Sequence, residues 1–327
     1  MRVAINGMGR IGRLLFRRLI KNENFEIVAV NDIMPIKNLA YLLKYDSVYG
    51  TFNHEIKAVE NVLKFDEKEI AFYQNNDPLL LPWKDLKIDV VLECSGKFLN
   101  NESASKHLTA GAKKVLLSTT GAEDISLRVF GHNHNGSSGP ENILSPGGCM
   151  TNCSVHVLYI LNSIGIQSVH LNILHSYTSR QALVDMPNPQ FTRGRAAAES
   201  IIPVGIDLDK SLNRLLPGLK SKINVFSTRV PVANGAMASF TIQLQTEISA
   251  EQINKIFRTA AQNEYKGIIE FTDEPLVSLD IKGNSHSCII DGTQTAVIGN
   301  HARVVAWFDN EYGFTSRLID WLNYWNK

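Results

Sequence analysis

The chain opens on a short β-branched apolar run, "RVAI", then breaks at the glycines of "NGMGRIG". In "RLLFRRLIKN", which follows, apolar residues recur at helical spacing with arginines between them. The pattern predicts strand, tight turn and helix. "FEIVAVND" predicts a second strand. "DVVLECSG" (Asp89–Gly96) and "KKVLLSTTG" (Lys113–Gly121) predict two more, each buried in pattern and ending in small polar residues. Parallel strands with ligand contacts at their carboxyl ends are what a doubly wound sheet requires. Between Asp32 and Asp89, "IKAVENVLKF" and "KEIAFYQ" predict antiparallel strands inserted in that arrangement. The pattern changes after Cys149, where "MTNCSVHVLYILNSIG" reads as an apolar helix and "SVHLNILHSY" as a strand.

Length and composition narrow the class. A chain of 327 residues is too long for one ordinary core and fits two domains. Apolar content of 44% and charged content of 20% are ordinary for a globular protein. A net charge of +1 argues against a nucleic-acid footprint or a basic membrane surface. No apolar run reaches the length of a membrane span, and the start is not patterned as a secretory signal. Four cysteines (Cys94, Cys149, Cys153, Cys288) are too sparse for a disulfide scaffold, so a reducing cytoplasm is the expected compartment.

The first turn carries the first chemistry. Gly7, Gly9 and Gly12 form G-x-G-x-x-G between a strand and a helix, with Arg10 and Ile11 inside the motif. The first two glycines allow a tight turn and close backbone approach to a pyrophosphate, and the third lets helix and strand pack. The free N–H groups of the helix start then face the phosphates. Asp32 ends the second strand about 20 residues further on, where an acid accepts hydrogen bonds from the adenosine ribose. Its carboxylate repels a 2′-phosphate and favours NAD over NADP; the plainer alternative is an Asp that caps the following turn. Ser95, Gly96, Ser118 and Thr119, at the ends of the later strands, are expected near the cofactor. Cys94, on an apolar strand, reads as core.

The stretch "SPGGCMTNC" poses a separate question. Cys149 falls at the start of the apolar helix, where the dipole and free N–H groups favour a thiolate. Cys153 lies one turn deeper, poorly placed for a disulfide with Cys149. Metal binding is disfavoured because no second nearby Cys/His pair completes a ligand set. A nucleophilic Cys149 needs a base from elsewhere. His175 ends a strand and precedes the polar run "SYTSRQ", with His170 earlier on the same strand. His156 lies within the helix, and His132 and His134 in "GHNHNGSSG" are expected on a surface loop. A strand-end histidine is the better base of these.

The motifs "INGMGRIGR", "VNDI", "LLKYDSVYG", "GAKKVLLS", "CMTNC", "HSYTSRQ", "RAAAESIIP", "TRVPVAN" and "WFDNEYGF" occur in that order. Together, over essentially the whole chain, they resemble the glyceraldehyde-3-phosphate dehydrogenase family, including its erythrose-4-phosphate dehydrogenase branch. The resemblance implies a Rossmann doubly wound parallel sheet plus an α+β catalytic domain with a mainly antiparallel sheet. It implies an NAD-binding domain over 1–148 and 312–327 and a catalytic domain over 149–311, the final helix "FTSRLIDWLNYW" returning to the first domain. It implies Cys149 as nucleophile, His175 as general base, Asn310 on the nicotinamide carboxamide and Tyr312 beside it. The implied substrate is a small phosphorylated aldehyde, oxidised through a cysteine thioester (EC 1.2.1 type), with Thr178, Arg193 and Arg229 on its phosphate side. "VDMPNPQFTRGR" resembles a loop that reaches a neighbouring subunit's cofactor, and its Pro187 goes with NAD use. A homotetramer, no metal and no nucleic-acid or membrane partner are implied as well.

Departures from that pattern cluster. Pro146, Gly147 and Gly148 precede the nucleophile and Met150 follows it, so hydroxyls that the family uses for inorganic phosphate are missing at Gly148 and Met150. Ile206 and Asp207 stand where the family has a polar phosphate-binding turn, and an acid there is expected to repel a dianion. Arg180 stands where the family is normally acidic and adds positive charge. "EPLVSLDIKGNSHSCIIDGTQT", "SIIPV" and "LPWKDLKIDVVLEC" are closer to the erythrose-4-phosphate branch. These features favour hydrolytic oxidation of erythrose 4-phosphate. Phosphorylating oxidation of glyceraldehyde 3-phosphate is the alternative. A non-catalytic NAD-binding protein is the alternative from a different class.

Overall fold

The apolar runs fold as their pattern predicts, and their polar ends set what the sheet presents. The computed structural model describes residues 1–135 and 141–327; Gly136–Gly139, the tail of the expected surface loop, lie outside the described residues. Strand β1 (Arg2–Asn6) leads through the glycine turn into helix α1 (Arg10–Leu19), whose buried face is Gly12, Leu14, Leu15, Phe16 and Leu19. Next come β2 (Glu26–Asn31), α2 (Ile36–Lys44), β3 (Ile56–Val59), β4 (Val62–Phe65) and β5 (Lys68–Tyr73). After them follow β6 (Val90–Glu93), α3 (Asn101–Thr109), β7 (Lys114–Leu117), β8 (Ser126–Leu127) and β9 (Ile143–Ser145). They form one sheet of order β3-β4-β5-β2-β1-β6-β7-β9-β8. Pairing is parallel from β5 to β8, and β3 and β4 extend the edge antiparallel, so the inserted segment joins the same sheet.

The second half is built on α4 (Cys149–Asn162), β10 (Ile166–Ser176), β11 (Ile202–Val204), α5 (Leu208–Leu215), β12 (Ile223–Val230) and β13 (Ala236–Leu244). It continues with α6 (Ala250–Gln262), β14 (Ile269–Thr272), β15 (Cys288–Asp291), β16 (Ala296–Ile298), β17 (His301–Phe308) and α7 (Tyr312–Trp325). The sheet order is β11-β12-β10-β13-β17-β15-β14, with β16 paired to β17. Most pairs are antiparallel; β10–β12 and β14–β15 are parallel. The chain divides into two units, Met1–Phe130 with His134–Gly148 and Arg317–Lys327, and Gly131–Asn133 with Cys149–Ser316. Residues from Arg317 on join the first unit through Trp321 and Tyr324, whose rings pack on Phe130, and Trp325, over which the Lys114 ammonium sits. His134 stacks on Phe130 and Tyr324, and His132 meets the Leu215 carbonyl and the Tyr159 ring, so both histidines are packed rather than free on a surface loop. Among the described residues, no helix is long and apolar enough to cross a membrane.

β1, β2 and β6 end in Asn6, Asn31 and Glu93, all buried. Buried polar groups of this kind must be paired. Asn31 Nδ2 donates to Asn6 Oδ1 (2.6 Å), and Asn6 Nδ2 to Glu93 Oε2 (2.5 Å). His107 Nε2 lies 2.9 Å from the same oxygen, and Trp83 Nε1 donates to His107 Nδ1 at 3.0 Å. An indole N–H can only donate. His107 therefore accepts at Nδ1, carries its proton on Nε2 and donates to Glu93. Trp83→Phe keeps the ring but strands the His107 acceptor. It is expected to cost about 1–3 kcal/mol in urea unfolding. The Trp83→Phe/His107→Phe double variant should cost less than the sum of the singles; strict additivity would show that the bond contributes nothing.

Candidate active site

The turn into α4 is made by the residues that the sequence marks as unusual. The Ser145 hydroxyl donates to Thr119 O (2.8 Å) and accepts from Gly147 N (3.1 Å) and Gly121 N (3.3 Å). Gly147 has φ +78°, in the left-handed region that favours glycine. Helix α4 then starts at Cys149 itself, so its first N–H groups surround the sulfur, and those of Cys149 and Met150 hydrogen-bond to it. Cys153 is fully buried one turn along, its thiol hydrogen-bonded to that of Cys288, and all four cysteines are free.

His175 stands at the carboxyl end of β10, in register with Arg229 on β12 and Ala236 on β13. Its Nε2 lies 3.7 Å from Cys149 Sγ. Its Nδ1 lies 2.7 Å from the Ser176 carbonyl. A carbonyl can only accept, so Nδ1 carries the proton and Nε2 presents a lone pair to the thiol. The Ser176 hydroxyl donates to Asn310 Oδ1 (3.2 Å), and Gly235 N–H donates to the same oxygen (2.9 Å). Asn310 thus spends its carbonyl on the protein. Asp309, before it, is buried and accepts from Asn234 Nδ2, Gly283 N, Glu311 N and Tyr312 N.

Burial acts against the thiolate that the helix start favours. Burial pushes the Cys149 thiol up to about 11; the Arg229 charge and the Met150 and Cys149 N–H groups pull the other way but do not win. Burial, then the Arg229 charge, pushes His175 down to about 3. Both shifts favour the neutral forms, a thiol and an uncharged imidazole. Desolvation of the half-buried thiol acts against a helix N-terminus whose effect is about 0.3–1 kcal/mol in exposed settings.

Two arginines lie beyond the pair. Arg229 is held by its Nη1 on the Ser176 carbonyl (3.4 Å), and Arg193 by Gln190 Oε1 and the Gly205 carbonyl (3.4 Å). Both are more than nine-tenths buried, and Arg229 Nε and Arg193 Nη1 have no hydrogen-bond partner among the described residues. Thr178 donates its hydroxyl to Gln181 Oε1 (3.0 Å). Asp207 does not bear out the expected repulsion: its carboxylate is 79% exposed and pairs with Lys210 at 2.8 Å. Its backbone precedes α5, which turns the side chain to solvent. Ile206 instead packs on the small core of Ala197, Ile202 and Val204.

The residues expected around the cofactor's phosphates and adenosine ribose lie in the first unit. Gly7 has φ +93°, and a Cβ there would run into the Ser95 backbone; at Gly12 it would strike the Gly7 carbonyl. At Gly9 a Cβ would meet nothing within 4 Å, so the backbone of the helix start is open to a ligand, and this N-cap has no side chain to occupy it. Asp32 is fixed beside that turn, accepting from Met8 N (2.5 Å) and Met34 N (2.9 Å). Ser95 Oγ is spent on Glu93, Gly96 takes φ +68°, Ser118 N donates to Glu93 O, and Thr119 O accepts from Ser145. Arg10 pairs with Asp46 at 2.6 Å, and Ile11 sits beside it in the first turn of α1. An open glycine backbone at a helix start with a carboxylate alongside fits a dinucleotide. Cys94, expected as core, is half-buried next to this group and bonded to Ser118.

Sequence reasoning passed over Ser176, Asp309 and the Glu93–His107–Trp83 chain. Asp309 was legible as the cap before "EYGF"; the others act through contacts distant in sequence.

Comparison with known proteins matches residues 1–101 to the glyceraldehyde 3-phosphate dehydrogenase NAD binding domain and residues 148–310 to the corresponding C-terminal domain. The chain is 39% identical over 322 residues to glyceraldehyde-3-phosphate dehydrogenase 1 of Bacillus cereus, covering 98% of this chain and 96% of that protein. It is 40% identical over 329 residues to the glyceraldehyde-3-phosphate dehydrogenase of Borreliella burgdorferi, covering 98% of each. For that of Zymomonas mobilis the identity is 39% over 326 residues, covering 98% and 97%.

The raised thiol pKa makes a measurable statement. Alkylation of Cys149 by iodoacetamide should keep accelerating with pH beyond the ordinary cysteine midpoint of about 8.5. Arg229→Leu should move the profile further up, because the lost positive charge was lowering the thiol pKa. A wild-type midpoint near 6 would show a resting ion pair instead.

Proposed function

The chain belongs to the glyceraldehyde-3-phosphate dehydrogenase family, and from that premise we propose that it carries out the NAD-dependent, phosphorylating oxidation of glyceraldehyde 3-phosphate. That it is an NAD-dependent oxidoreductase acting on an aldehyde follows from the family itself. The finer assignment rests on one observation above all. A thiol and a neutral imidazole of fixed tautomer stand 3.7 Å apart, in the same unit as buried guanidiniums with unpaired N–H groups. Two further points favour this alternative over erythrose 4-phosphate. The relatives compared carry the glyceraldehyde name, and the expected obstacle to phosphate, Asp207, points to solvent.

The residues divide the work as follows. His175 Nε2 takes the proton of Cys149 Sγ as the sulfur attacks the aldehyde carbon, so the thiolate forms only in the reacting complex. The oxyanion of the thiohemiacetal accepts from the Cys149 N–H and from His175, whose Nε2 is by then protonated. The open backbone at Gly9 would hold the NAD pyrophosphate and Asp32 its ribose, and the bound cofactor would supply the hydride acceptor. Asn310 Nδ2 is assigned to the nicotinamide carboxamide, with Tyr312 beside it. Oxidation leaves a thioester on Sγ. Phosphate then adds to its carbonyl carbon, the C–S bond breaks, and Cys149 leaves and is reprotonated from His175. Thr178 and Arg229 serve the substrate phosphate.

We also propose a homotetramer in a reducing, cytoplasmic setting. Leu183, Val184, Met186 and Phe191, in the loop that resembles a subunit-crossing arm, are exposed in the single chain, Phe191 by 88%. Such apolar exposure calls for cover.

NADH formation with each aldehyde, with and without phosphate, tests the reading. Glyceraldehyde 3-phosphate should be the better substrate, its turnover should need phosphate, and acyl phosphate should form. Faster turnover of erythrose 4-phosphate at zero phosphate would overturn it. His175→Asn should slow acylation about 10²–10⁴-fold; near-wild-type rates would remove His175 from the chemistry.

A further inference from the structure

Three strands of the first unit end in one buried polar row. Asn31, Asn6 and Glu93 are in register across β2, β1 and β6, so their side chains leave on the same face of the sheet. The loops that follow these strands carry Asp32, the Gly7 turn, and Ser95 with Gly96. Those are the residues expected around the dinucleotide.

The row has a direction. Asn75 N donates to Asn31 Oδ1 (2.9 Å), Asn31 Nδ2 to Asn6 Oδ1, and Asn6 Nδ2 to Glu93 Oε2. From the other side His107 Nε2 donates to that same oxygen. Glu93 Oε1 accepts twice from Ser95, through its N–H (2.8 Å) and its hydroxyl (2.5 Å). Every donor thus points at the carboxylate. A carboxylate has about four lone-pair sites, and the donors of Asn6, His107 and Ser95 fill them. Burying such a group is costly unless its oxygens are bonded in this way, and Glu93 is 1% exposed.

Ser95 is where the row meets the cofactor turn. A Cβ on Gly7 would lie 2.3 Å from Ser95 N and 2.5 Å from Ser95 Cα, so the turn rests directly on the Ser95 backbone. The Ser95 hydroxyl also accepts from Lys97 N (3.2 Å), which folds the loop around Gly96. Its hydrogen is spent on Glu93.

We propose that Glu93 is a positioning residue for the dinucleotide. Its carboxylate holds the Ser95 backbone against the Gly7 turn, and so keeps the N–H groups at the start of α1 aimed where a pyrophosphate would sit. Ser95 then acts through Glu93, not by its own contact with NAD. The inference rests on NAD binding and is independent of which aldehyde is oxidised.

Glu93→Gln tests it with little change in shape. An NH₂ on the Oε2 side would face two donors, Asn6 and His107. On the Oε1 side it would face only the Ser95 N–H, because the Ser95 hydroxyl can turn to accept. The amide therefore settles there and frees the Ser95 backbone, while the Asn6 and His107 bonds remain. The Kd for NAD, titrated without aldehyde, should rise about tenfold, equivalent to about 1.4 kcal/mol. Trp83→Phe is the structural control. It strands an acceptor on the far side of His107 and leaves both Ser95 bonds in place. It should lower the urea midpoint and keep the NAD Kd within about twofold of wild type. Equal Kd losses in the two variants, or an unchanged Kd in Glu93→Gln, would overturn the proposal. Ser95→Ala, which removes only the hydroxyl, keeps the idea testable should Glu93→Gln not fold. In the protein without NAD, amide exchange read by mass spectrometry should quicken around positions 7 and 95 in both variants. A serine that merely touched NAD would leave that exchange unchanged, and such a result would end the assignment of Glu93.

Discussion

The second unit is organised around one residue, Ser176. Its carbonyl accepts His175 Nδ1–H and an Arg229 N–H, its hydroxyl donates to Asn310, and its own N–H donates to the Gly235 carbonyl. It is fully buried. The acid–base group, the anion-binding group and the amide next to α7 therefore share one anchor at the carboxyl end of β10. Parallel pairing with β12 sets His175 opposite Arg229, and antiparallel pairing with β13 sets it opposite Ala236. A slip of one residue in either pairing would turn His175 to the other face of the sheet, so register and chemistry are fixed together.

Burial gives this site its protonation logic. In water a cysteine beside a histidine and a helix start would ionise readily. Here removing both groups from solvent favours their neutral forms, and the Arg229 charge acts on the two in opposite senses: it eases loss of the thiol proton and opposes protonation of the imidazole. The pair gains protection from stray electrophiles while idle. It also pushes the work of ionisation into the encounter with the aldehyde, where the developing oxyanion rewards it.

How much of this was legible in the chain varied with distance. Local patterns gave the strands, the glycine turn, the apolar helix behind Cys149 and the strand-end position of His175, because each is written within a few residues. The anchor Ser176 was not legible, since its four partners come from β10 itself, β12, the turn before β13 and the segment after β17. The Glu93–His107–Trp83 chain was hidden for the same reason. Asp207 misled because sequence assigns a residue to a turn without saying which way its side chain leaves. One step of backbone before α5 sends the carboxylate to Lys210 and solvent. The helix start lies where it was expected and its N–H groups do lower the thiol pKa, but the burial that pushes it up depends on packing no local pattern records.

The first unit is built from the two ends of the chain. Its sheet is complete by Ser145, yet Trp321 and Tyr324, which cover Phe130, are among the last residues of the sequence. During synthesis at about 5–20 residues per second, the intervening stretch takes on the order of ten seconds or more to emerge. Over that interval the nascent nucleotide-binding half carries an uncovered aromatic patch beside His134. The ribosome must release the final turns of α7 before that half can close.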